Sequence, residues 1–245
     1  MSQTQGQASQ TRHNASQTHR NASQTKSKAL LFDIDGTLAD TDPLHLAAFN
    51  RVLGPHGHSF DHARFGRELQ GFSNASIGER FLAHEPPERR TIILGEKERI
   101  FRELVAGQIV PVPGLMALLD RADHAGVPMV AVTNAPRANA ELLLAGLGIA
   151  HRFKALVIGD ELAHGKPHPL PYLEGLRLAG AQAQASLAFE DSRSGIQSAT
   201  AAGIATVGMR TGLSHADLIA AGAVASARAF DDPELIRLVA SAMAW

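Results

Sequence analysis

The 245-residue sequence has no cysteine, which excludes disulfides, thiolate chemistry and any Cys-based metal site. It lacks an excess of charge of either sign. With 23 basic and 24 acidic residues its formal net charge is −1, so nothing draws it generally toward nucleic acid or a membrane surface. Long apolar runs are missing too, none nearing the roughly 18 residues of a membrane span. The N-terminus shows no apolar signal-peptide core. The expectation is a soluble cytoplasmic protein, monomeric by default, with no nucleic-acid or membrane partner. What is present is ordinary globular material. Apolar content is 44%, enough for one large or two small domains with a sizeable core.

The first 28 residues differ from the rest. Met1-Ser2-Gln3-Thr4 is followed by Ala8-Ser9-Gln10-Thr11, Ala15-Ser16-Gln17-Thr18 and Ala22-Ser23-Gln24-Thr25, a period of seven. No position repeats a large apolar residue, so this is not a coiled-coil heptad. Arg12, Arg20, Lys26 and Lys28 are the only charges there. The segment cannot bury enough apolar surface to offset its ordering entropy, and residues 1–27 read as a disordered tail. A weak electrostatic tether is its functional alternative. Asn14, Asn21 and Asn74 lie in Asn-x-Ser sequons, which without a secretory signal read as chance.

Beyond the tail, short apolar runs alternate with helical patterns. Ala29–Phe32, Val127–Val132, Leu156–Ile158, Ser186–Phe189 and Ala205–Val207 are apolar on both faces and bounded by Gly, Pro or Asp, as strands of a buried parallel sheet are. Helical stretches are expected at Pro113–His124, Pro136–Gly146, Pro169–Leu178 and Gly195–Ala202. A short strand near Arg228–Phe230 and a helix from Asp232 close the chain. The alternation predicts a doubly wound, mainly parallel α/β core, Rossmann-like in layout. From Pro43 to Val110 it stops: Leu44–Leu53, Ala63–Leu69, Ser76–Ala83 and Glu88–Ala106 read as helices, with Gly95 a weak point in the last.

Chemistry concentrates where the strands end. Leu30-Leu31-Phe32-Asp33-Ile34-Asp35-Gly36-Thr37-Leu38 runs from an apolar strand into two aspartates one residue apart, and alternation along an extended chain puts Asp33 and Asp35 on one side. Paired carboxylates repel unless a cation or a shared proton relieves them. A magnesium-assisted phosphoryl-transfer site has a use for both, one as nucleophile and one as acid/base. Val132-Thr133-Asn134-Ala135-Pro136 ends a strand and opens a helix, where a hydroxyl, an amide and free N–H groups can hold phosphate oxygens. Taken alone this is only a capping signal. Gly165-Lys166-Pro167-His168 places one of just five lysines between Gly and Pro before a helix. A solvent-facing loop lysine is the simpler reading. Phe189-Glu190-Asp191-Ser192-Arg193 ends a strand in hard oxygen donors with no His or Cys nearby, favouring magnesium over zinc, although Asp191 or Ser192 could instead cap the next helix.

These four segments, in this order, resemble the motifs of the haloacid dehalogenase superfamily over about residues 28 to 212. The resemblance implies a core of residues 28–42 and 111–245, with a helical cap at 43–110 joined through Thr41-Asp42-Pro43 and Val110-Pro111-Val112-Pro113 as hinge strands. It implies a magnesium-dependent phosphatase acting on a small phosphorylated metabolite. Asp33 would be the nucleophile forming an aspartyl-phosphate, and Asp35 the acid/base. Lys166 would touch nucleophile and phosphoryl group, with Thr133 and Asn134 holding the latter. Magnesium would sit on Asp33, the Asp35 carbonyl and Asp191, with Glu190 direct or through water. Asp35 points away from superfamily ATPases and dehalogenases.

Within the superfamily the chain looks most like the phosphoglycolate phosphatase and β-phosphoglucomutase group. His45 and Lys97 stand where the mutase-like proteins carry cap residues; the plain reading of each is a helix-surface side chain. The mutase has a lysine near Gln70 and an arginine near Asn74, and neutral Asn74 cannot grip a second phosphate bidentately. That favours a monophosphate, of sugar-phosphate or phosphoglycolate type, with Gly71, Phe72, Ser73 and Asn74 as cap recognition residues. A sugar phosphomutase is the alternative, and a non-catalytic binding protein the remote one.

Overall fold

The computed structural model describes residues 27–107 and 109–245. The seven-residue repeats, expected to be disordered, and the sequons at Asn14 and Asn21 lie outside the described residues. Six short strands form one parallel sheet: β1 (Leu30–Phe32), β2 (Met129–Thr133), β3 (Ala155–Ile158), β4 (Leu187–Glu190), β5 (Ala205–Met209) and β6 (Ala225–Ala227). Their spatial order is β3-β2-β1-β4-β5-β6. The chain therefore winds outward from β1 on one side, returns, and winds outward on the other. The switch in direction falls between β1 and β4, where the loops beyond the strands' carboxyl ends diverge and leave a crevice.

Alternation along β1 explains the three layers. Leu30 and Phe32 face one cluster, built with Leu115, Leu119, Leu143, Leu144, Leu235 and Val239. Ala29 and Leu31 face another with Tyr172, Leu176 and Ala199. Helices α5 (Leu115–His124), α6 (Arg137–Gly146) and α10 (Pro233–Met243) thus cover one face, and α7 (Leu170–Ala179) and α8 (Arg193–Ala201) the other. Both faces being covered is why the strands carry no polar alternation. Phe32 and Phe189 stack on the adjacent strands β1 and β4, with ring centroids 4.9 Å apart, and Phe230 packs edge-on to Phe189 at 5.3 Å.

Between β1 and α5 run α1 (Asp42–Leu53), α2 (His62–Glu68), α3 (Asn74–Phe81) and α4 (Pro87–Val105). They pack chiefly on one another, α1 and α3 both lying against α4. Helix α4 continues through Gly95 without a break. Of the two expected hinge segments, Val110-Pro111-Val112-Pro113 does pair, but its partner is not Thr41-Asp42-Pro43. Asp42-Pro43 opens α1, proline at the first turn costing no hydrogen bond, and the pairing occurs earlier, between Ala39 and Pro111, with Val112 N donating to the Leu38 carbonyl at 2.9 Å. The strand expected at Arg228–Phe230 lies three residues upstream as β6, because Val207 to Met209 of β5 pair with Ala225 to Ala227, while Phe230 turns in to the aromatic cluster. The remaining helix α9 (His215–Ala221) caps the β5–β6 connection. No helix of the described residues is long and apolar enough to cross a membrane.

Candidate active site

Each strand end delivers one part of the crevice. Asp33 follows β1 and is buried; its N–H donates to the Phe189 carbonyl of β4 at 3.0 Å, which fixes it at the switch point. Glu190 closes β4 and Asp191 follows it. Donor oxygens of Asp33, Glu190 and Asp191 lie within 4.8 Å of one another, all three side chains buried. Lys166, from the loop before α7, reaches over β2. Its Nζ donates to Asp33 Oδ1 at 2.7 Å, to Glu190 Oε1 at 2.6 Å and to the Val132 carbonyl at 2.7 Å. Three acceptors for three donors leave that ammonium fully satisfied and held charged.

The two aspartates of the first segment diverge in environment. Burial pushes the Asp33 carboxyl up to about 8, against the opposing pull of Lys166 and with added repulsion from Glu190. Burial also acts to raise Asp35, but His45 and Thr41 outweigh it and leave its carboxyl below the usual value. His45 Nε2 stands 2.9 Å from Asp35 Oδ1, and Thr41 Oγ1 donates to the same oxygen at 2.8 Å. Behind His45, Lys97 Nζ donates to Nδ1 at 2.9 Å. An ammonium has no lone pair, so Nδ1 accepts and Nε2 carries the proton toward Asp35. The imidazole lies flat on Phe101, 3.8 Å between ring centroids, which fixes its orientation. His45 and Lys97 are thus buried, and the surface reading of both is overturned.

Asn134 ties three loops. Its Nδ2 donates to the carbonyls of Gly71 at 3.0 Å and Lys166 at 3.1 Å, and its Oδ1 accepts from Lys166 N at 3.0 Å. Thr133 Oγ1 accepts from Ala135 N, shaping the turn before α6. Two glycines are required here. Gly36 has φ +75°, and a Cβ on it would stand 1.8 Å from Asp191 Oδ2. Gly71 has φ +75°, with a Cβ 2.4 Å from the hydroxyls of both Ser192 and Ser194.

The cleft encloses about 70 Å³ and is lined by Asp33, Asp35, His45, Gly71, Phe72, Asn74, Lys97, Thr133, Asn134, Lys166 and Asp191. Two expected residues stand apart. Ser73 does not line it; its hydroxyl accepts from Ser76 N and caps α3. Glu190 is wholly buried beneath, its oxygens taken by Lys166, by Tyr172 OH at 2.7 Å and by Ser192 Oγ at 3.1 Å.

Several participants were not read from the sequence. Gln70 Nε2 donates to Asp191 Oδ2 at 2.6 Å and to Asp42 Oδ2 at 2.9 Å. Glu98 accepts from Lys97 at 3.0 Å, Asn74 at 2.8 Å and Asn139 at 2.6 Å. Only Thr41 and Asp42 carried a signal, polar residues close behind a charged segment. Glu98 looked like any charge on an amphipathic helix.

The crevice holds more buried acid than its lysines balance. Burial raises the Asp191 carboxyl well above its usual range, with Asp42 and Asp33 adding to the effect, and burial with nearby Asp40 and Asp35 pushes Asp42 up to about 7. Surplus negative charge on hard oxygens is what a divalent cation relieves, so the donor set fits magnesium. Asp42 allows a separate check. Its folded value exceeds the free value of 3.8, so its contribution to stability is present below that pH and is lost as pH rises through about 7. Asp42→Asn is expected to melt higher than the parent at pH 8 in chelator, by on the order of a few kcal/mol, with the advantage shrinking toward pH 5. Equal melting curves at both pH values would show that Asp42 carries no such strain.

Residues 27–203 match the family model described as haloacid dehalogenase-like hydrolase. The chain belongs to this family. Haloacid dehalogenase-like relatives include Protein CbbY of Rhodobacter capsulatus, 34% identical over 74% of this chain and 84% of that protein. Fructose-1-phosphate phosphatase YqaB of Escherichia coli is 34% identical, over 74% of this chain and 95% of its own length. Among solved structures, CbbY from Rhodobacter sphaeroides in complex with phosphate superposes with a TM-score of 0.72 at 29% identity, covering 83% of this chain and 95% of that one. The chain is an enzyme of the phosphatase and phosphoglucomutase group, of the phosphoric monoester hydrolase kind.

Proposed function

We propose that this haloacid dehalogenase-like enzyme is a magnesium-dependent phosphatase of small phosphate monoesters, sugar phosphates or phosphoglycolate among them, working through an aspartyl-phosphate. The observation that carries the reading is the divergence of the two aspartates: Asp33 lies buried on Lys166 Nζ, and Asp35 is held by His45 and Thr41. Environments that push paired carboxylates apart assign them different work. The burial that raises Asp33 would be offset by a cation on Asp33 and Asp191 together with Lys166, leaving Asp33 ionised for attack. A cation held by Asp33 and Asp191 supplies charge neutralisation at the phosphoryl group. The Thr133 hydroxyl is free to donate to that group, Lys166 places its charge beside it, Asn134 holds the surrounding loops in place, and Asp33 attacks phosphorus in line. The leaving alkoxide takes a proton from Asp35, which then removes one from the water that cleaves the acyl-phosphate and frees inorganic phosphate. As it stands Asp35 is ionised, the state the second step needs. The charges of an incoming phosphate monoester raise it toward the protonated state the first step needs.

Helices α1–α4 act as the cap, bringing His45, Gln70, Gly71 and Lys97 onto the core. Glu98 supports hydrolysis of monophosphates over mutase chemistry. It is buried, its carboxyl held below the usual range despite burial by Lys97 and His45, and it accepts from Asn74. A fixed carboxylate there opposes a second phosphate. Asn74, Glu98 and Pro136 also border a neighbouring cavity of about 550 Å³, with room for the leaving group. Localisation in the cytoplasm and action as a monomer complete the proposal.

Phosphate release is expected from a panel of sugar phosphates, phosphoglycolate and nucleotides only with magnesium, and to fall by about 10²–10⁴ in Asp35→Asn. Release that persists in chelator, or an unchanged Asp35→Asn, would overturn the mechanism. Isomerisation of a sugar phosphate with added bisphosphate and no net release would make the enzyme a mutase.

A further inference from the structure

Far from the cleft, two turns of the helical layer bring three ligand-type side chains to one point. His56 ends the short turn after α1, and His84 and Glu85 lie in the connection from α3 to α4. His56 Nδ1 is 3.2 Å from His84 Nε2 and 3.6 Å from Glu85 Oε1, and the last two atoms are 3.8 Å apart. We propose that His56, His84 and Glu85 form a three-ligand site for Zn²⁺. A tetrahedral ion with bonds of about 2.0–2.1 Å needs donors roughly 3.3–3.4 Å apart, and these three atoms approximate one face of such a tetrahedron. Two imidazoles and a carboxylate select zinc over magnesium.

The alternative is a plain hydrogen-bonded cluster. It accounts for one contact only, the imidazole pair. Glu85 Oε1 stands beyond hydrogen-bond reach of either ring, and the Glu85 carboxylate makes no hydrogen bond among the described residues. The turns are held independently of the cluster. Arg90 donates to the backbone carbonyls of Glu85 at 2.8 Å and Ala83 at 2.9 Å, clamping one turn. His58 Nε2 lies 2.9 Å from the Phe81 carbonyl and ties the other turn to the end of α3. Prearranged donors lose little entropy on binding. The His84 side chain is 58% exposed, so the remaining vertex faces solvent and takes water. On binding, the proton shared between the rings moves to the far nitrogen of its imidazole, leaving both facing lone pairs free. An ion here joins the end of α1 to the α3–α4 turn, and the melting temperature rises with zinc.

The test uses the full chain in excess magnesium, which occupies the carboxylate cleft. Cobalt(II) is expected to give the intense visible bands of tetrahedral coordination, and zinc to displace it one for one. His84→Ala should abolish the bands and weaken zinc binding at least tenfold, and Glu85→Gln should weaken it measurably while preserving shape. Metal-free melting curves check that both variants stay folded. Weak octahedral bands from the parent chain, or equal zinc affinity in parent and both variants, would overturn the site and place any bound metal on other histidines.

Discussion

Asp33→Asn is expected to abolish turnover, a loss on the order of 10⁴-fold or more, while leaving the melting temperature close to the parent's. A carboxamide oxygen is too weak a nucleophile to take a phosphoryl group, and the two side chains bound nearest to it cannot replace it. Lys166 is charged and has no lone pair, and Glu190 has both oxygens taken by Lys166, Tyr172 and Ser192. The fold should persist because an asparagine oxygen still accepts from Lys166 Nζ, and the main-chain bond from residue 33 to the Phe189 carbonyl is untouched. Phosphate release paired with a thermal melt checks both halves. Turnover above a few per cent of the parent in a clean preparation would remove Asp33 from the nucleophile's role.

Lys166→Met is expected to damage both properties. The side chain is buried, and its ammonium stands between two buried carboxylates and a strand carbonyl. Methionine fills similar space and leaves those charges facing each other. Removing one partner of a buried ion pair costs about 3–5 kcal/mol. For a chain of this size that is roughly 6–20 °C in melting temperature. Turnover should fall by about 10²–10³ as well, since a preorganised charge near the transferring group is lost. Sign matters here. Burial acts to lower the Lys166 ammonium, but Asp33 and Glu190 outweigh it and raise the group, so its contribution persists across neutral pH and is lost only in strong alkali. A melt at pH 7 that matches the parent would show that desolvation cancels the ion pair.

The two variants separate roles that a single activity assay confuses. Asp33→Asn removes chemistry with the fold kept; Lys166→Met removes chemistry with stability lost. His45 and Lys97 sit between these cases, because they touch Asp35 only in sequence, Lys97 to His45 to Asp35.

Much of this was legible in the residue order. Three strand ends carry Asp33, Thr133-Asn134 and Glu190-Asp191, and Lys166 stands in the loop between β3 and α7; each strand-end signal is local, an apolar run on both faces passing directly into the polar group. Fully buried parallel strands leave such a trace because both faces are covered, whereas position along a strand does not show. Hence the final strand falls at Ala225–Ala227, set by pairing with β5, and not at Arg228–Phe230. Ser73 illustrates a different failure. A serine at a helix start can cap or recognise substrate, and only the fold decides; here it caps.

The sequence alone determined the fold class, the family resemblance and the order of the acidic, hydroxyl–amide, lysine and second acidic segments, since these rest on short-range pattern. Tertiary structure alone decided the electrostatics. Gln70 meets Asp191 across 121 residues of chain, Lys166 meets Asp33 across 133, and Glu98 closes on Asn139 from another layer. A carboxylate's proton affinity depends on burial and on charges a few ångströms away, which the winding of the sheet and the seating of α1–α4 on its edge bring together.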